Sequence, residues 1–127
     1  MAQIVCFSDT AALAHMVRES LGDPSHVLTL LPASRLDQGL RNQVAVLQPS
    51  LILLELNRAF DNAHLLFFLR SDESTRRVPI VLLSTSARLD QCAAVLEVDG
   101  YLRMPFDASE LVQLLSTLLE RAVERAA

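Results

Sequence analysis

Residues 49–57 read PSLILLELN. Pro49 and Ser50 punctuate the chain, a run of apolar residues follows, and the run ends on a carboxylate, Glu55, with Asn57 two positions on. A short apolar run bounded by turn residues describes a strand buried on both faces, the kind found in the middle of a parallel sheet. A second such run, residues 80–83, follows Pro79 and stops at three hydroxyls, Ser84, Thr85 and Ser86. Between the two lies a very apolar stretch of helical character at 63–70, then a polar connection, SDESTRRVP.

The same alternation continues outward. Residues 3–7 read as a short strand, and Ser8, Asp9 and Thr10 offer N-cap chemistry to a helix over 11–21. Gly22, Asp23 and Pro24 end that helix, and a second strand is predicted at 26–31, stopped by Pro32. From 34 to 47 the apolar residues Leu36, Leu40, Val44 and Leu47 recur at helical spacing. Beyond the central pair, 88–98 reads as a helix, Asp99–Gly100 as a turn and 101–104 as a fifth strand. Pro105 follows, and DASE opens a last helix with a capping-box pattern at Asp107 and Glu110. Five β–α units with doubly apolar central strands predict an α/β fold, an open parallel sheet with helices on both faces.

A length of 127 residues suits one domain, 1–127, and 51% apolar residues suffice for a sizeable core. The net charge of −4 argues against a nucleic-acid surface, which needs a clustered basic face. No apolar run reaches the roughly 20 residues of a membrane-spanning helix, and the start MAQIVCFSDT resembles no signal peptide. A cytoplasmic location without nucleic-acid or membrane partners is the expectation. Cys6 and Cys92 sit among apolar residues and read as reduced, buried thiols. His15, His26 and His64 have no ligand-like spacing.

Ligands of open parallel sheets gather outside the carboxyl ends of the strands. That rule selects Ser8, Asp9, residues 55–57, Ser84, Thr85 and Met104. A dinucleotide or flavin site is excluded by the lack of a glycine-rich phosphate loop, and a hydrolase elbow by the lack of G-x-S-x-G. The hydroxyls at 84–86 read first as helix caps. Asp9 and Glu55 end separate central strands and should meet above the sheet.

IVCFSD, PSLILLELN, VPIVLLST and DGYLRMPF, in register with the connection HLLFFLRSDESTRRVP, resemble the receiver domain of bacterial two-component response regulators over essentially the full chain. The resemblance implies a doubly wound, flavodoxin-like strand order 2-1-3-4-5. It also implies a role in signal transduction by phosphorelay, in which an aspartate ending the third strand accepts a phosphoryl group with the help of magnesium. Position by position, Asp9 stands at a metal-binding acid, Asn57 at a carbonyl ligand, Ser84 at the switch hydroxyl and Tyr101 at the switch aromatic. Three positions depart: Ser8 replaces the first acid, Glu55 the phosphoacceptor, and Met104 the lysine.

Those departures carry physical consequences. The extra methylene of Glu55 moves the carboxylate by more than about an ångström, and in-line transfer loses about a hundredfold for such a displacement. Met104 cannot give a phosphoryl oxygen a charge-assisted hydrogen bond, and the chain contains no lysine to replace it. Alternation aims Arg103 at the opposite face. Asp9 and Glu55 leave the pocket near −2 without an internal cation, so Arg58 or a divalent ion is expected to compensate. The chain therefore reads as an atypical, pseudo-receiver member: no enzyme, no required cofactor, magnesium at most weakly held by Asp9, Glu55 and Asn57.

Function then falls to protein contacts, with a protein partner or an output domain. The expected surface is the face of the fourth helix, fifth strand and fifth helix, through Leu89, Leu96, Tyr101, Leu111, Leu115 and Leu119, where a homodimer could also form. Two alternatives stay open. Glu55 could mimic the phosphorylated state, or Asp9 and Glu55 could still serve a metal-dependent phosphoryl-accepting receiver.

Overall fold

The computed structural model describes residues 2–21, 26–33, 37–56 and 64–126. The elements alternate without exception: β1 Ala2–Phe7, α1 Ala11–Ser20, β2 His26–Leu31, α2 Gln38–Leu47, β3 Leu51–Glu55, α3 His64–Ser71, β4 Ile80–Ser84, α4 Leu89–Leu96, β5 Gly100–Arg103 and α5 Ala108–Ala126. The five strands form one parallel sheet in the order β2-β1-β3-β4-β5. The open parallel sheet is the one that the run at 49–57 and its neighbours predict, and its flavodoxin-like order is the one that the resemblance implies.

Alternation along the strands divides the core in two. Val5 and Phe7 of β1, Ile52 and Leu54 of β3, and Ile80 and Leu82 of β4 pack under α2, α3 and α4. Their neighbours Ile4, Cys6, Leu51, Leu53, Val81 and Leu83 pack under α1 and α5. Because both faces are covered, Leu51 to Leu54 and Ile80 to Leu83 are all fully buried, and such strands must be apolar at every position. The sequence pattern and the layered packing are one fact at two levels.

Boundaries shift where local hydrogen bonding differs from the apolar periodicity. Helix α2 starts at Gln38, because the Asp37 carboxylate caps it by accepting the Leu40 N–H at 2.8 Å. Helix α4 stops at Leu96, two residues short of the prediction. There Glu97 adopts a left-handed conformation at φ 53° and its N–H returns to the Ala93 carbonyl. Strand β5 runs one residue earlier than predicted, pairing Gly100 with Val81 and Arg103 with Ser84.

The expected interaction face needs correction. Leu89 and Leu111 are completely buried and Leu115 nearly so, because they are the residues by which α4 and α5 cover the sheet. Leu96 and Leu119 are partly buried against the same two clusters. Of the six, Tyr101 alone is exposed, and among the described residues the large apolar side chains that reach solvent on these helices are Val95 and Val112. Leu111, Leu115 and Leu118 of α5 thus serve the core, while Val112 faces solvent.

Candidate functional site

The strand ends bring the site together through backbone bonds that run just past each strand. Ser8 N–H donates to Leu31 C=O at 2.9 Å, Leu56 N–H to Leu83 C=O at 2.8 Å, and Met104 N–H to Ser84 C=O at 2.8 Å. These bonds set the heights of the first residues beyond β1, β3 and β5. Ser8, Glu55 and Met104 are therefore held by the sheet rather than by loop geometry.

Glu55 is the centre of the arrangement. Its Oε1 accepts the Ser8 hydroxyl at 2.8 Å, and its Oε2 accepts the Thr10 hydroxyl at 2.9 Å. The longer side chain of glutamate reaches sideways to the end of β1, where the Ser8 hydroxyl also accepts the Thr10 N–H at 3.0 Å. Hydrogen bonds to an ionised carboxylate are among the stronger ones. An acid at position 8 would have faced Glu55 with like charge, whereas a serine faces it with a donor. Two of the three departures from the receiver pattern thus complement each other.

Asp9 points its Oδ1 to the Ala33 N–H at 3.1 Å, across to the end of β2. With Glu55, Thr10 and Thr85 it lines an open cavity of about 500 Å3, walled among the described residues also by Leu13, Met16, Leu56 and Met104. Met104 is half-buried and packs against the α1/α5 side of the sheet. No arginine or histidine lines the cavity among the described residues. Asn57 and Arg58, expected as a carbonyl ligand and a compensating cation, lie outside the described residues.

The other expected site residues separate from this cluster. Ser84 is fully buried, and its hydroxyl accepts the Ser86 N–H at 3.1 Å, a turn-stabilising bond at the end of β4. The neighbouring Thr85 lines the cavity instead, since alternation turns successive side chains to opposite faces. Tyr101 is 43% exposed, turned outward from β5. Arg103 also lies on the α4 side, as alternation required. Its guanidinium donates to the Ser86 and Ala87 carbonyls at 3.2 Å each and meets Asp90 at 3.5 Å.

Thr10 is the functional group that sequence reasoning missed. It stands at the N-cap of α1 but makes no side-chain capping bond, and its hydroxyl goes to Glu55. The signal was the dense SDT triplet at the end of β1, which reads equally well as cap chemistry. Below the site, burial and the nearby Glu55 charge push the Cys6 thiol up to about 12, so it is protonated and unreactive at neutral pH. Cys92 is half-buried, and burial raises its pKa as well. His15 is exposed beside Glu19 at 3.1 Å, and among the described residues no group of three or more His, Cys, Asp or Glu is placed to hold a metal ion.

Solved structures with an open parallel sheet of this kind align with nearly the whole chain. A sensor protein from Polaromonas sp. JS666 matches with a TM-score of 0.78 at 22% identity, covering 95% of this chain and 98% of its own. The chemotaxis response regulator CheY4 of Vibrio cholerae matches at 0.76 and 20% identity, covering 93% and 98%. NtrX from Brucella abortus matches at 0.78 and 20% identity over 98% of this chain but 28% of its own, so there the fold is one part of a longer protein. No family model matches the chain, and no curated protein does. The similarity establishes the fold. No helix among the described residues is long and apolar enough to cross a membrane.

Proposed function

We propose that the chain is an atypical response-regulator receiver that works in signal transduction through protein contacts, without phosphorylation at its acceptor position. The observation that carries this reading is the state of Glu55, whose two carboxylate oxygens each accept a hydroxyl, from Ser8 and from Thr10. An acceptor must present a free oxygen in line with the donor phosphorus, and phosphoryl transfer depends almost wholly on such positioning and on cations around the phosphate. Here the acceptor position is longer by a methylene and engaged with hydroxyls, and Met104 offers no cation.

The contact reading is favoured over mimicry of the phosphorylated state. A mimic would have Glu55 engage the hydroxyl of Ser84 and draw Tyr101 inward. Ser84 instead bonds Ser86 N–H, and Tyr101 is exposed. The surface of α4, β5 and α5, with Val95, Tyr101 and Val112 exposed, is the face proposed for a partner, an output domain or a second copy. Cytoplasmic location, independence of a cofactor and the absence of enzymatic turnover belong to the same proposal.

The test is incubation with acetyl phosphate and magnesium, followed by intact-mass measurement. The expected result is an unmodified chain. A triple variant, Ser8→Asp with Glu55→Asp and Met104→Lys, is the positive control and should gain one phosphoryl group. A phosphoryl adduct on Glu55 of the natural chain would overturn the proposal and restore the metal-dependent phosphoacceptor reading.

A further inference from the structure

Helix α4 is poorly equipped to hold its own place. Its eight residues fall short of the roughly 12 below which an isolated helix is marginal in water. Its N-cap, Arg88, makes no side-chain capping bond, and its carboxyl end meets Glu97, an acid where a cation is favoured. Leu89 and Ala93 are its buried residues, with Cys92 and Leu96 partly covered and Val95 exposed. We propose that Arg103 is a latch that fixes α4 to the end of β5 and so sets the surface carrying Val95 and Tyr101.

The joint between β4 and α4 is closed by short-range bonds of its own. The Ser84 hydroxyl accepts the Ser86 N–H at 3.1 Å, and the Ser86 hydroxyl accepts the Arg88 N–H at 3.1 Å. The Ser86 carbonyl accepts the Leu89 N–H at 3.3 Å and, on its second lone pair, the Arg103 Nε–H at 3.2 Å. The same guanidinium donates to the Ala87 carbonyl at 3.2 Å and meets the Asp90 carboxylate at 3.5 Å. Past Ser84, whose carbonyl the Met104 N–H holds, Arg103 is the group that ties the joint to β5.

The guanidinium suits this task because its donors form a planar fork, which spans two successive carbonyls as well as a carboxylate. The ion pair alone would hold little, since the Arg103 and Asp90 side chains are each about half exposed. The two carbonyl bonds therefore carry the latch. Arg103 and Tyr101 stand two residues apart on β5 and share a face. Across the joint, Thr85 lines the cavity above the sheet. With the latch closed, α4 keeps one position between that cavity and solvent. With it released, the first turn of α4 opens while the sheet stays intact. The use of the latch rests on the partner-face reading proposed above, because a contact surface built from two elements binds best when they are held together beforehand.

The test is amide hydrogen exchange, followed by NMR on the chain alone, for the natural protein, Arg103→Ala, Arg103→Lys and Asp90→Asn. Arg103→Ala should speed exchange at Arg88 and Leu89 at least about tenfold, while Ile52 and Leu54 at the centre of the sheet stay within about twofold. Arg103→Lys should fall between the natural chain and Arg103→Ala, because an ammonium lacks the fork. Asp90→Asn should change the two rates by less than about threefold. Unchanged exchange at Arg88 and Leu89 in Arg103→Ala would overturn the latch. An equal rise at Ile52 and Leu54 would also overturn it, reducing Arg103 to a general contribution to stability. An effect of Asp90→Asn as large as that of Arg103→Ala would overturn the assignment to the two carbonyls. Should Arg103→Ala fail to fold, Arg103→Lys decides by the same criteria. No partner enters this measurement, so a failed latch leaves the partner face standing, and a partner face that fails in assembly experiments leaves the latch standing.

Discussion

Ser8 and Glu55 stand 47 positions apart in the chain and 2.8 Å apart in the fold. Removing the Ser8 hydroxyl takes one donor from the Glu55 carboxylate, in a setting that is only part-buried. Ser8→Ala should therefore destabilise the chain by about 1.5 kcal/mol in urea unfolding, the low end for a bond to a charged group. The same substitution made in a Glu55→Ala background should cost less, because only the bond accepted from the Thr10 N–H is then lost. Equal losses in both backgrounds would mean that the pair is not coupled. Cys6 gives a second residue-scale consequence. Its folded pKa of about 12 lies above the ordinary thiol value of 9.0, raised first by burial and then by Glu55. The folded state holds this proton more tightly than the unfolded state does. Its contribution to stability is complete below about pH 9 and is lost as pH rises towards 12, by at most about 1.4 kcal/mol per pH unit. Alkaline titration of unfolding free energy should show this decline, and Cys6→Ala, though less stable at pH 7, should show a flatter one.

At the scale of elements, the joints between strand and helix are held by side chains that periodicity does not reveal. Asp99, in the turn before β5, accepts the Ile80 N–H at 2.8 Å and the Arg70 guanidinium at 3.1 Å with the same oxygen. Arg70 continues to the carbonyls of Arg76 and Val78, so one cluster fastens the end of α3 and the start of β4 to β5. Both side chains are about three-quarters buried. Asp99→Ala should cost about 2 kcal/mol and speed amide exchange at Ile80, whose N–H loses its acceptor. An exchange rate unchanged from the natural chain would remove this joint from the account. The sequence reads Asp99–Gly100 as a turn, whereas Gly100 already opens β5 and Asp99 alone stands before it. The role of the aspartate depends on which strand lies beside it, and that is decided only when the sheet assembles. The same limit explains Thr10, whose hydroxyl choice between cap and Glu55 depends on the register of β1 against β3.

Over the whole molecule, legibility follows burial. The sheet could be read because strands covered on both faces must be apolar at every position, so residues 51–54 and 80–83 declare themselves. The outer face could not be read in the same way. A helix covering a sheet needs a wide apolar arc, and the arc of α5 looked like surplus available to a partner. The fold spends Leu111, Leu115 and Leu118 on the core and leaves Val112 outside. This division predicts two distinct responses on one helix. Leu111→Ala removes a completely buried side chain and should cost about 3 kcal/mol, a large part of the 5–15 kcal/mol of a typical domain. Val112→Glu, one residue on and 41% exposed, should change stability by less than about 0.5 kcal/mol. Val95→Glu on α4, 79% exposed, should behave like it. If this face carries contacts, the two glutamate variants together should abolish self-association or partner binding in sedimentation while leaving the melting curve in place. Unchanged assembly in the double variant would move the search for a partner to another surface, because no larger apolar side chain than Tyr101 would then remain exposed on α4, β5 or α5 among the described residues.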